Sequence, residues 1–350
     1  MNKYPELTLA IEDMQAQASI YQPSAFWSEA SDQIVKEIGD GGIENFRSLQ
    51  KPLGFFVPTY GSPANGFSVE QSKALNHWFE SHYASAKKPI LALDQFLSGY
   101  SAALSDYRVL LAADNINKPP YLHTFSESTV GNPIEHWEFN ERKFSRSSLN
   151  YALGLALLKK HLADAPRTVL EIGGGFGTLG EILSQSGIHD MRYIDVDIPP
   201  TSFIAQYYLS EVLGKQNVAT FAQTRTSDSI DINALPKASV LASWQIEKLK
   251  GKVDLFVNFI SFQEMEPHIV SNYLRHVSRL ETSWILLRNM REGKQVRKSP
   301  NEVGVETPIL SDDYLSMLPE YELIERNVFP YGYRTVDGYH SELLLLRRMV

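Results

Sequence analysis

The chain has 350 residues, 43% of them hydrophobic, with 41 acidic against 33 basic residues and a net charge of −8. That is apolar material for one large domain with an extension, or for two domains, while the acidic balance and the lack of a basic patch exclude nucleic acid as an expected partner. Zero cysteines exclude disulfides and thiolate zinc sites, and with no long apolar run and no charged-then-apolar leader the expectation is a soluble, cytoplasmic protein without membrane insertion.

Residues 1–130 read as a mainly helical cap or substrate region. Ser24 to Ile38 opens on an N-cap serine and closes at Gly39; Ser68 to Ala86 has the same character, and Leu91 to Leu111 continues it. Between them Pro52 to Gly66, with three prolines and three glycines, predicts an ordered loop. Its Phe55, Phe56 and Tyr60 either floor a substrate pocket or pack under an interface. Residues 131–146 form a connector. There Arg142, Lys143 and Arg146 precede a helix expected over Ser147 to Leu162, capped by Ser147 or Ser148. The stretch is either a solvated linker or brings a cation or Tyr151 against a ligand carboxylate or an anionic acceptor.

From residue 147 to 350 apolar runs alternate with helical patterns. Thr168 to Leu183 (TVLEIGGGFGTLGEIL) predicts a buried strand ending near Ile172, a turn of glycines and a helix opening at Thr178. That arrangement is a nucleotide-type cofactor site. Two registers are open: Glu171 with Gly173, Gly175 and Gly177 spells E-x-G-x-G-x-G, whereas Gly175, Gly177 and Gly180 spell the dinucleotide fingerprint G-x-G-x-x-G. The next strand, Met191 to Val196, brings two acids, Asp195 and Asp197, to its end, where a carboxylate can accept both ribose hydroxyl protons. Glu171 favours the first register, because the second would bury it unpaired inside a strand. Further on come a helix Ser202 to Leu213, strands at Ser239 to Ala242 and Val253 to Ile260, a helix Pro267 to Leu280, a strand Ser283 to Leu287 and a helix Asp312 to Leu318. The runs Tyr321 to Phe329 and Ser341 to Arg347 predict a terminal antiparallel hairpin.

With an acid two residues before the first glycine, the segment resembles the class I S-adenosyl-L-methionine (SAM) methyltransferases. Together VLEIGGGFGTLGEIL, YIDVDIPP, SWQIEKL, VDLFVNFISFQEM and DGYHSELLLL are similar to the sugar O-methyltransferase family. The resemblance implies an α/β fold, a Rossmann-like sheet of seven strands ending in that hairpin, and SAM-dependent transfer of a methyl group to a hydroxyl of a sugar or glycoside, small or oligosaccharide, as in polysaccharide biosynthesis. The cofactor contacts expected are Glu171, Gly173, Gly174, Gly175, Gly177, Asp195, Asp197, Asn258 and Tyr151, with Trp244 on the adenine and Ser243 or Gln245 at its edge. A base for the acceptor hydroxyl is expected near the end of the 253–260 strand. Glu264 is the first candidate, followed by His268 and by His340 before the last strand. No metal is expected. An NAD(P)-dependent oxidoreductase and a non-catalytic module recognising a glycan or partner enzyme are the alternatives, and a homo-oligomer is left open.

Overall fold

The computed structural model describes residues 3–62, 64–85, 87–298 and 304–349; Ala86, at the predicted end of a helix, and Pro63, in the predicted loop, lie outside them. The N-terminal region contains α1 (Pro5–Gln15), α2 (Ala25–Gly41), α3 (Gln50–Phe55), α4 (Val69–His82), α5 (Lys87–Leu97) and α6 (Tyr100–Ala113). Local chemistry sets their starts. Ser24 accepts the Trp27 amide at 3.4 Å, and Ser68 forms a capping box with Gln71. The predicted helix Leu91 to Leu111 is instead two, broken at Gly99, whose φ of +81° ends α5 where a side chain would collide with Tyr60 and Gly61. The pattern also missed α1, and the first part of the predicted loop is helical as α3.

The connector holds a short hairpin, Trp137–Phe139 with Arg142–Phe144. The following helix, α7 (Arg146–Lys159), starts one residue earlier than expected, because Ser145 rather than Ser147 or Ser148 is its N-cap, in a capping box with Ser148. Arg47 and Glu127 form a buried ion pair at 2.7 Å, and Glu127 also accepts Ser145 Oγ at 2.8 Å, which ties the N-terminal region to the start of α7.

Among the described residues nine strands make the main sheet: β1 (Thr168–Ile172), β2 (Arg192–Asp197), β3 (Val218–Ala219), β4 (Ala238–Ala242), β5 (Leu255–Phe259), β6 (Trp284–Met290), β7 (Tyr321–Asn327), β8 (Tyr333–Arg334) and β9 (His340–Arg348). Their order is β7-β9-β6-β5-β1-β2-β4-β3, with β8 paired to β9. All pairs from β6 to β3 are parallel, whereas β9 runs antiparallel to both β6 and β7. Two strands exceed the predicted seven, and both additions, β3 and β8, are two-residue pieces. The interior strands are buried along their length because both faces are covered. Val169, Val257, Leu343 and Leu345 face a cluster that includes α7 residues and Ile34, Phe46 and Tyr107. Leu170, Phe256, Leu344 and Leu346 face a second, which contains Val270 and Leu274 of the helix Pro267–Arg279 and Tyr314 of the helix Ser311–Met317. The helical N-terminal region thus shares an apolar core with the sheet. Among the described residues no helix is long and apolar enough to cross a membrane.

Candidate active site

The strand order reverses at β1, which has β2 on one side and β5 on the other. In open parallel sheets ligands bind outside the carboxyl ends of the strands at such a point. A cavity of about 350 Å³ lies there, walled by Gly173, Gly174 and Gly175 after β1, Asp197 and Ile198 after β2, Phe259 to Ser261 after β5, Arg146 and Tyr151 of α7, and Tyr21, Phe55 and Phe56 from the N-terminal region. That volume falls in the usual range for small-molecule pockets, about 300–1,000 Å³.

The glycine loop leaves no room for side chains. A Cβ on Gly173 (φ +71°) would overlap Ser261 Oγ, and one on Gly174 would stand 2.6 Å from Asp195 Oδ1, 2.8 Å from Glu171 Oε2 and 2.9 Å from the Tyr193 hydroxyl. The carboxylates therefore lie directly beneath the loop. Gly177 caps α8 (Thr178–Ser184), and Gly180 sits inside that helix against Tyr193. Neither lines the cavity, whereas Gly173, which only the first of the two registers contains, does.

Of the three acids only Asp197 reaches the cavity. Its Oδ1 accepts the Ile198 amide at 2.7 Å, and burial pushes its carboxyl up to about 7 against the opposing pull of the Ile198 and Gly175 amides. Asp195 is fully buried, and among the described residues its oxygens make no well-formed hydrogen bond, only weak approaches from the Gly174 and Val196 amides. Burial first, then the charges of Asp197 and Glu171, hold it well above the usual carboxylate range. Glu171 corrects the sequence reading. It is fully buried yet paired, accepting the Tyr151 and Tyr193 hydroxyls at 2.6 Å each, and it does not line the cavity. Desolvation raises it to about 7 while the two phenols oppose the rise. Tyr151, stacked on Phe259 with ring centres 4.8 Å apart, is the group that faces the cavity in its place. Among the described residues no group of three His, Asp or Glu is arranged to hold a metal ion. Three close acids of raised pKa are instead suited to a ligand that brings positive charge or hydroxyl donors.

The predicted adenine contacts are elsewhere. Trp244 packs edge-on against Phe221 at 5.6 Å, Gln245 holds Thr224 and the Ala242 amide, and Ser243 donates to the Tyr21 carbonyl at 3.1 Å; none of the three lines the cavity. Sequence reasoning missed Tyr21 itself. Its hydroxyl donates to Glu247 at 2.6 Å and accepts Asn272 Nδ2 at 3.1 Å, fixing the ring at the cavity beside Ile198 and Tyr273. No signal in its own neighbourhood announces this, because its partners lie more than 200 residues away.

On the other flank Asn258 is fully buried and its Nδ2 donates to the Ile172 carbonyl at 2.8 Å, so it ties β5 to β1 and does not line the cavity. His268 is exposed on the first turn of the helix Pro267–Arg279, and His340 pairs with Glu292 at 2.6 Å; neither lines the cavity. Glu264 does, with Lys294 Nζ 3.0 Å from its Oε1. It is delivered by a feature the sequence did not announce: Ile260, β-branched, sits at φ +73° and ψ −32°, a conformation costing about 1–3 kcal/mol. That turn sends the short helix Ser261–Glu264 back across the glycine loop, where Ser261 Oγ donates to the Ile172 carbonyl at 3.1 Å. Of the three connector cations Arg146 alone lines the cavity; Arg142 is bound to the Leu122 carbonyl and the Tyr107 hydroxyl.

No protein-family model and no curated protein matches the chain. Among solved structures it is similar to the SAH-bound magnesium protoporphyrin IX methyltransferase of Synechocystis PCC 6803, at 14% identity and TM-score 0.38 over 58% of this chain and 83% of that one. It is also similar to the mitomycin 7-O-methyltransferase MmcR (11%, 0.37, over 78% and 60%) and to the methyltransferase CcbJ of Streptomyces caelestis (12%, 0.37, over 56% and 94%). TM-scores this low carry no argument about acceptor or mechanism.

Proposed function

We propose that the protein is a SAM-dependent O-methyltransferase whose acceptor is a hydroxyl of a sugar or glycoside. The observation that carries the reading is the cavity at the switch point, with side-chain-free glycines on one wall and the Asp197 carboxylate on the next strand. The antiparallel last strand, placed between β6 and β7, supports the methyltransferase pattern over a dinucleotide domain closing on a parallel sixth strand.

Asp197 would hold the ribose hydroxyls, Ile198, Tyr21 and Tyr273 the adenine, and the loop Gly173–Gly175 with Tyr151 the amino-acid portion. SAM when bound supplies a methyl group already activated by its sulfonium. The chain has two further tasks. The first is alignment: walls from both flanks confine the acceptor oxygen, and such positioning is worth on the order of 7–11 kcal/mol. The second is removal of the acceptor proton, which Glu264 performs as the one carboxylate, among the described residues, of the cavity wall on the β5 side. A base so placed contributes roughly 100-fold to 10,000-fold. The rings of Phe55, Phe56 and Phe259 beside the polar Thr59, Asn150 and Ser261 suit the mixed apolar and hydroxyl faces of a sugar. Labelled-methyl transfer from SAM across a panel of nucleotide sugars, uronic acids and oligosaccharides, read by mass spectrometry, tests this. We expect a methylated sugar. Tight NAD(P)H binding with no SAM binding contradicts it.

A further inference from the structure

The cavity is electrically two-sided. On the β1 and β2 flank Asp197 lines it, with Glu171 and Asp195 buried beneath the glycine loop. On the β5 side the wall contains Glu264, ion-paired with Lys294, and Arg146, the one cation among the described lining residues, with Arg288 close by. The Arg288 guanidinium lies 5.0 Å from the Phe259 ring and donates from Nη2 to the Asn150 and Tyr331 carbonyls at 3.1 and 2.8 Å; its Nε too is unpartnered among the described residues, but the side chain does not line the cavity.

Arg146 is held differently. Its guanidinium stands 5.3 Å from the Tyr60 ring centre and 5.1 Å from that of Tyr333, and Nη1 donates to the Thr59 carbonyl at 2.6 Å. Its buried Nε has no hydrogen-bond partner, and among the described residues no carboxylate forms an ion pair with it. The nearby acids are engaged elsewhere: Glu135 accepts the Tyr60 and Gly61 amides at 2.9 and 2.6 Å, and Asp106 accepts the Tyr60 hydroxyl. Tyr333, Glu135 and Asp106 stand close enough to favour its charge, but none forms an ion pair with it. A guanidinium fixed between two rings, with a free Nε donor and facing a cavity, is suited to receive an anion, since leaving a buried donor unmade costs about 1–3 kcal/mol.

Which anion follows from the order of the strands, and this step rests on the proposed methyl transfer. Ribose on Asp197 puts adenosine on the β2 side of the glycine loop. The acceptor then occupies the β5 side, with Glu264, Phe259 and Arg146. We propose that Arg146 binds an anionic group of the acceptor, a carboxylate or a phosphate, so that the substrate is an acidic or phosphorylated sugar and not a neutral one.

The test is calorimetric titration of wild type and Arg146→Gln, each with and without saturating S-adenosylhomocysteine, using glucuronate, glucose 1-phosphate and glucose as probes. Wild type should bind one of the two charged sugars about tenfold more tightly than glucose, the worth of one charge-assisted hydrogen bond. Preference for glucuronate identifies a carboxylate and preference for glucose 1-phosphate a phosphate. Arg146→Gln should lose that preference while its affinity for S-adenosylhomocysteine stays within about twofold of wild type. Equal binding of all three sugars by wild type, or a preference that survives in Arg146→Gln, overturns the proposal. So does a selective loss of S-adenosylhomocysteine affinity, which would give Arg146 to the cofactor's own carboxylate. If Arg146→Gln does not fold, Arg146→Lys should keep the charge but bind the charged sugar severalfold more weakly; unchanged affinity contradicts the inference. Wild type that ignores S-adenosylhomocysteine defeats the methyltransferase reading alone, because the titrations without it still report the anion preference.

Discussion

The two flanks of the glycine loop differ in charge and in how the chain builds them. The acidic flank comes from two adjacent parallel strands, β1 and β2, whose registers pair Glu171 directly with Asp195. The basic flank is assembled from distant pieces: Thr59 and Tyr60 from the loop after α3, Arg146 from the start of α7, Arg288 from β6 and Tyr333 from β8. Charge set by neighbouring strand ends is a property of the topology, whereas charge set by four segments depends on how the N-terminal region docks on the sheet. The first flank therefore suits an invariant ligand such as a cofactor and the second a variable one such as an acceptor.

Four perturbations sharpen or break that contrast. Glu264→Gln should lower kcat by roughly 100-fold to 10,000-fold with little change in cofactor affinity; a variant as fast as wild type means that Glu264 is not the base. Asp197→Asn should weaken SAM binding by about 10-fold to 100-fold, the worth of hydrogen bonds to a charged group, and leave acceptor affinity in the cofactor-loaded enzyme near wild type. Equal losses on both ligands would dissolve the division into flanks.

A smaller effect concerns pH. Burial raises Glu171 and Asp197 to about 7, so as pH climbs from the ordinary carboxylate range to that value the unfolded chain has released protons that the folded protein retains. Their contribution to stability is present at low pH and is lost as pH rises through about 7. A ligand bearing positive charge favours the ionised acids. SAM affinity should therefore increase with pH up to about 7, by at most about tenfold per unit for each proton released, and titration in two buffers of different ionisation enthalpy should detect the release. Affinity independent of pH, with no proton released, argues against a cation beside these acids. Smallest, Tyr193→Phe removes one of the two donors to Glu171 beneath the loop and should cost about 1–3 kcal/mol in denaturant unfolding.

The acidic flank was largely legible in the sequence, because a strand, a glycine turn and an acid at the next strand's end have fixed spacings. Its depth was not: strand alternation gives Asp195 and Asp197 the same face of β2, yet Glu171 and Asp195 lie under the loop while Asp197 reaches the cavity. Trp244 was misplaced for a similar reason. Its position after β4 puts it near the carboxyl edge, but the short helix Ser243–Lys248 turns the indole onto Phe221. The parallel core and the antiparallel last strands followed from hydrophobic alternation, whereas the two-residue strands β3 and β8 are too short to show a period. The basic flank was nearly silent. Arg146 was one of three candidate cations in the connector, and nothing local separates it from Arg142; the long-range docking of Tyr60 and Tyr333 makes the difference.

The decisive measurement is a crystal structure with S-adenosylhomocysteine. Both ribose hydroxyls should lie on Asp197, the amino-acid portion along Gly173–Gly175 beside Tyr151, and the sulfur should open toward Glu264 and Arg146. Ligand density outside this cavity, or with the ribose away from Asp197, would contradict it.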